Sequence, residues 1–173
     1  MHDQPRYEPL EASDFFADGR ASRPAVPGTV ARGSLEEDEV LRTGRVGDRF
    51  AEDFPVTVDR KLLDRGRERY DIFCSPCHDR LGTGRGMVVR RGFPEAASFH
   101  IERLRKAEPG WYFDVVTNGF GRMPGYAAQL RPRDRWAVVA YIRALQRSRS
   151  ATPADVPPGR SLEPPPAAEG GVR

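Results

Sequence analysis

The chain has 173 residues, 38% apolar and 31% charged, with a formal net charge of +3. That suffices for one domain but is lean for a core running the whole length, so part of the chain is expected to form arms. No run of ~18 apolar residues is present, which excludes a transmembrane helix, and no interleaved basic and aromatic motif supports nucleic-acid binding.

Charge is unevenly spread. Residues 58–149 carry 19 basic against 10 acidic side chains, a net of +9. Residues 1–57 carry 7 against 12, a net of −5, and residues 150–173 carry 2 against 3, a net of −1. A basic centre between acidic arms fits arms folded back over it, or a centre that docks on acidic partners.

Residues 1–57 show little helical periodicity and frequent proline and glycine, as in "SRPAVPGTVARG" and "RTGRVGD". Tyr7, Phe15, Phe16, Phe50 and Phe54 are scattered through this polar stretch. Sparse apolar anchors on an extended segment predict a docking arm laid on another surface, with a flexible tether as the alternative. The domain is expected over residues 58–149. Asp59 is placed to cap a helix reading "RKLLDRGRERYDIF", with Leu63, Gly66, Tyr70 and Phe73 on one face. A glycine inside a helix costs about 1 kcal/mol, so Gly66 predicts the close approach of another backbone. The expected partner is the last helix, starting near Pro132, with a stripe of Val138, Tyr141, Ile142 and Leu145. Crossing these helices would lay the ring of Tyr141 on Gly66. One or two turns are expected in "HIERLRK" and a short helix in "PGWYFDVVTNG", closed by Asn118-Gly119. No segment reads as a strand, so the fold class is all-α. Residues 150–173 form a Pro/Ala/Gly-rich tail expected to be extended.

Between the first helix and the rest lies "CSPCH", which holds both cysteines of the chain, Cys74 and Cys77, followed by His78. Three chemistries use such a pattern. A redox dithiol ordinarily follows a strand and needs no adjacent histidine. A structural zinc site needs four ligands, and only His2 and His100 remain, neither at a paired spacing. Covalent attachment of haem c, with thioethers from Cys74 and Cys77 and His78 as the iron ligand, is the reading the spacing favours.

With "GFGRMPGY" between the last two helices, the glycine and aromatic of the first helix and the aromatic last helix, the region Asp59 to Arg147 resembles the class I cytochromes c. The resemblance implies that Met123, in a Met-Pro element after a glycine-rich turn, supplies the second iron ligand. Residue chemistry agrees: a thioether is a soft neutral donor, and 45 residues after His78 leave enough chain to pass around the haem. Met87 and His100 are the competing donors, and simple packing is the alternative role of Met123. A ligand set of His78 and Met123 is six-coordinate, which implies electron transfer by one covalent haem c and not catalysis. A haem enzyme with an open sixth site is the rival class.

A narrower resemblance joins the arm "DQPRYEPLEASDFFADGRASRPAVPGTVARG" with "GRGMVVRRGFP", "SFHIERLR" and "NGFGRMPGY". Together these are similar to the monohaem cytochrome c subunit of alternative complex III, a quinol-oxidising bacterial membrane assembly. That resemblance implies a peripheral subunit on the extracytoplasmic face, beside a multihaem cytochrome and near a periplasmic electron acceptor. A free-standing periplasmic cytochrome c is the alternative. The residues from Met1 show no apolar leader, whereas haem is attached to such motifs outside the inner membrane. A leader upstream of Met1 is therefore expected, with room there for a lipid-modified cysteine.

Overall fold

The computed structural model describes residues 4–8, 10–24, 26, 28–30, 38–156 and 159. The chain divides into two compact units, Met1–Glu37 and Asp38–Arg173. The expected boundary at residue 57 is thus displaced.

In the first unit Ala12 and Arg20 form an isolated antiparallel bridge. The turn between them is closed by the Ser13 N–H on the Gly19 carbonyl (3.0 Å). Phe16 lies under the Arg23 guanidinium, 4.1 Å from the ring centre, and Arg23 also pairs with Asp18 at 2.7 Å. Phe15 is left 82% exposed and Tyr7 59%.

The second unit begins with α1 (Glu39–Thr43), capped by Asp38, whose side chain accepts from the Leu41 N–H. Gly44 ends it, and β1 (Arg45–Val46) pairs antiparallel with β2 (Arg49–Phe50). This segment is a correction to the expected arm, because it belongs to the core. Ala51 is buried and exchanges both backbone hydrogen bonds with its surroundings: its N–H donates to Gly44 (2.9 Å) and its carbonyl accepts from Gly110 (2.9 Å). Trp136 donates its indole N–H to the Leu41 carbonyl at 2.9 Å, and Phe54 meets the Trp136 ring edge-on at 5.6 Å. "RTGRVGD" is therefore a helix cap and a hairpin turn, two features whose glycines also suit a linker.

The helical frame follows the expected pattern. α2 (Arg60–Phe73) starts at Asp59, whose carboxylate accepts from the Leu62 N–H at 2.7 Å. It crosses α7 (Pro132–Ser150), and Gly66 sits at the crossing: a Cβ there would lie 2.0 Å from the Ala137 carbonyl oxygen and 3.0 Å from Tyr141 Cβ. Tyr141 thus meets Gly66 through its Cβ, and its ring packs edge-on against Tyr70 (5.3 Å). α7 is buried beyond the expected stripe, over Trp136–Ala140 as well as Ile142, since the 38–56 segment covers its other side. Arg65 ties the same two helices together through both nitrogens of a fork on Asp134, at 2.7 and 2.9 Å.

Between them run α3 (Ser75–His78), α4 (Met87–Arg90), α5 (Glu102–Lys106) and α6 (Pro109–Asn118). α6 leads into a hairpin of β3 (Gly119–Phe120) and β4 (Met123–Pro124). The unit is mostly helical, but the expectation of no strand is corrected by these two ladders of two residues each. Beyond α7, a single 3-10 turn at Pro153–Asp155 is capped by Thr152 and held by an ion pair between Asp155 and Arg147. Beyond Val156 the tail residues lie outside the described residues, apart from Gly159.

Candidate haem site

Cys74 ends α2, and the next turn winds Cys77 and His78 back over it, both backbone N–H groups donating to the Cys74 carbonyl (3.2 and 2.9 Å). The two sulfurs are free thiols. Burial, with Cys77 nearby, pushes the Cys74 thiol up to about 12. Among the described residues no group of three or more His, Cys, Asp or Glu side chains is placed to hold a metal ion. The zinc alternative finds no ligand set among those residues.

The turn is held by the loop that follows. Asp79 takes a positive φ of 55°, and its carboxylate gathers the N–H groups of Leu81 (2.6 Å), Thr83 (3.3 Å) and Arg85 (3.3 Å) together with the Thr83 hydroxyl. Burial opposes its charge, but the Thr83 hydroxyl and these N–H groups outweigh that and hold the carboxyl below its usual range. The buried Tyr70 hydroxyl donates to the Asp79 carbonyl at 2.7 Å. Gly86 returns the loop onto the motif, donating to the Cys77 carbonyl (2.8 Å). A Cβ at Gly86 would lie 2.2 Å from the Pro76 carbonyl oxygen, so only glycine fits against this turn.

His78 is held by packing. Its ring stacks on Phe99 with centres 4.4 Å apart and planes 19° apart. Burial lowers its pKa, opposed in part by the Ala97 backbone and the Asp79 charge, so the imidazole is neutral at neutral pH, as a metal ligand must be. Nδ1 is buried without a hydrogen bond of ordinary geometry, the Ala97 backbone being the group that bears on it. That leaves Nε2 as the donor for a metal.

Met123 is half-buried and packs on the core. Its hairpin turns tightly on α6: Gly119 has φ +84°, and a Cβ there would lie 2.5 Å from the Met123 carbonyl oxygen. Tyr126 then anchors the strand exit, its N–H donating to the Val116 carbonyl at 2.8 Å. Its ring meets Phe73 edge-on at 6.2 Å, and its hydroxyl is close enough for burial and the thiols of Cys74 and Cys77 to raise its pKa. The Met123 loop is thus tied to the face that carries the cysteines. The competing donors are placed less well. His100 Nε2 is 2.7 Å from the Leu81 carbonyl and so is engaged, and Met87 is 58% exposed at the start of α4.

The residues present fit haem c. Two free thiols, a neutral imidazole with Nε2 available and a thioether on an anchored hairpin match its attachment and ligation chemistry. Asp79, Gly86 and Phe99 were not singled out from the sequence. The short Gly-rich spacing after the motif carries a signal for the first two, and nothing local carries one for Phe99.

Residues 61–142 match the family model described as cytochrome C oxidase, cbb3-type, subunit III. No curated protein matches the chain. Among solved structures, a chain of the Kuenenia stuttgartiensis reducing HAO-like protein complex Kustc0457/Kustc0458 is 23% identical with a TM-score of 0.47, covering 55% of this chain. The present chain spans 48% of that one, about half its length. The KustC0563 c-type cytochrome is 20% identical with a TM-score of 0.41, covering 47% of this chain and 96% of its own.

Proposed function

We propose that residues 61–142, which match that family model, form a class I c-type cytochrome domain for haem-based electron transfer, and that this chain is an electron-transfer subunit of a quinol-oxidising membrane complex of the alternative complex III type. It holds one haem c through Cys74 and Cys77, with His78 and Met123 as the iron ligands. The observation that carries the electron-transfer reading is the pairing of a neutral, packed His78 with a thioether on a hairpin anchored beside the cysteines.

Haem bound there supplies a one-electron Fe(II)/Fe(III) couple, with a potential that a His/Met ligand pair raises. Haem held by both His78 and Met123 would have no ligand position left for a substrate, which favours electron transfer without bond-making. The packing of Phe99 and the Asp79 loop keep the attachment turn rigid, which limits reorganisation between the two oxidation states.

The assignment to a larger complex rests on the resemblance of the arm and on its side chains. Phe15 and Tyr7 remain exposed on a segment that holds its own turn, as anchors for a neighbouring subunit would. The chain is placed on the extracytoplasmic face, where c-type haem is attached, beside a multihaem subunit that delivers electrons and a periplasmic acceptor that takes them. The test has two readings. A pyridine haemochrome assay on the purified chain is expected to detect haem c. Affinity capture of the chain from detergent-solubilised membranes is expected to bring multihaem and integral membrane subunits with it. Capture of the haem-loaded chain alone would make it a free-standing carrier.

A further inference from the structure

We propose that Gln146, 68 positions beyond His78 on α7, is a positioning residue for the His78 imidazole, acting through Phe99; the inference rests on His78 being an iron ligand.

Gln146 is 5% exposed, a costly place for an amide unless its hydrogen bonds are all made. They are made. Its Nε2 donates to the Phe99 carbonyl at 2.7 Å, with the Tyr112 hydroxyl at 2.9 Å and the Leu104 carbonyl at 3.3 Å sharing the second hydrogen. Its Oε1 accepts from Arg143 Nη1 at 2.9 Å. Tyr112 in turn donates to the Leu104 carbonyl at 2.7 Å. A buried glutamine has therefore fastened residues 99–104, the irregular lead into α5 and its first turn, to the last helix.

Phe99 is the residue of that segment that reaches the site. Its carbonyl is taken by Gln146, and its N–H donates to the Gly82 carbonyl at 2.9 Å, in the loop that follows the attachment motif. Pinned on both sides, its ring lies flat against the His78 imidazole. A metal-bound imidazole ordinarily has its plane set by a hydrogen bond at the other ring nitrogen. Here the Ala97 backbone bears on the ring and the flat face of Phe99 packs along it, so Phe99 shares in setting the plane. Rotating the imidazole would drive its edge into the Phe99 ring. Gln146 keeps that ring in place.

The experiment uses the full, haem-loaded chain in its oxidised form and reads the hyperfine-shifted haem methyl resonances by proton NMR. The order and spread of those resonances report the orientation of the axial imidazole. Gln146→Met keeps the volume and removes the donors; Phe99→Leu keeps an apolar contact and removes the flat face. Both are expected to change the methyl pattern, in the same sense. Asp134→Asn, which weakens the α2–α7 contact without touching this network, is expected to lower Tm and leave the pattern unchanged. A lowered Tm with a wild-type pattern in Gln146→Met would make the residue merely structural and overturn the inference. If Gln146→Met does not accumulate as folded protein, Phe99→Leu decides, and an unchanged pattern there overturns it equally. The wild type is read first: shifted methyls there uphold the ligand assignment, and their absence overturns that assignment and this inference together.

Discussion

Gly66 and Ala137 meet backbone to backbone, so closely that a Cβ on Gly66 would stand 2.0 Å from the Ala137 carbonyl oxygen and 2.7 Å from its carbonyl carbon. Backbone atoms of a packed helix cannot give way as a flexible side chain does. Gly66→Ala should therefore push α2 away from α7 and cost about 1–3 kcal/mol through overpacking, in spite of alanine's better helix propensity. Thermal melting of the haem-loaded protein checks this. An unchanged or raised Tm would mean that the helices cross elsewhere.

Truncation separates the two units. A chain starting at Asp38 keeps α1, the β1–β2 hairpin and the Leu41 carbonyl that receives the Trp136 indole N–H, and should fold and take up haem like the full chain. A chain starting at Phe54 loses all three. The stranded Trp136 donor alone should cost about 1–3 kcal/mol, and the uncovered face of α7 adds to it. Chemical denaturation of both truncated proteins is the measurement. Equal midpoints would return the 38–53 segment to the status of an arm.

How much of this was legible in the sequence depended on the range over which each signal acts. Asp59, Pro132 and Asn118-Gly119 mark helix ends by local chemistry, and they do so in the structure. Gly66 announced a close approach because a mid-helix glycine is costly without one, though not that the Ala137 backbone would come nearer to it than Tyr141. Residues 38–56 were illegible as core because a five-residue helix and two-residue strands are too short for periodicity, while Gly44 and Gly47 serve a linker as well as a turn. At the site, Cys74, Cys77 and His78 announce themselves by spacing. Phe99 and Gln146 do not, since one lies outside regular structure and the other is a polar residue on a helix that is mostly exposed at that end. Their roles arise only when α7 folds over the 99–107 segment.

The Arg65–Asp134 fork makes stability depend on pH in acid. The Arg65 side chain hydrogen-bonded to Asp134 holds its carboxyl below the usual range, against some burial. A depressed carboxylate stabilises the fold above its unfolded pKa of about 3.9, and that contribution is lost as pH falls through the lower folded value. Because Arg65 is partly exposed, the pair is worth about 1 kcal/mol. Asp134→Asn should lower stability by that amount at neutral pH. The gap from wild type should hold down to about pH 5 and close below about pH 4. A gap independent of pH would show that shape, not charge, makes the contact.

The central claim is that iron in this protein is ligated by His78 and Met123, and the visible spectrum of oxidised Met123→Ala beside wild type tests it most directly. Wild type should show the weak red band of a methionine–ferric bond, and the variant should lose that band while keeping covalently attached haem, because Cys74 and Cys77 do not depend on the distal ligand. A variant that retains both the band and the wild-type potential would contradict the account and pass the role to Met87.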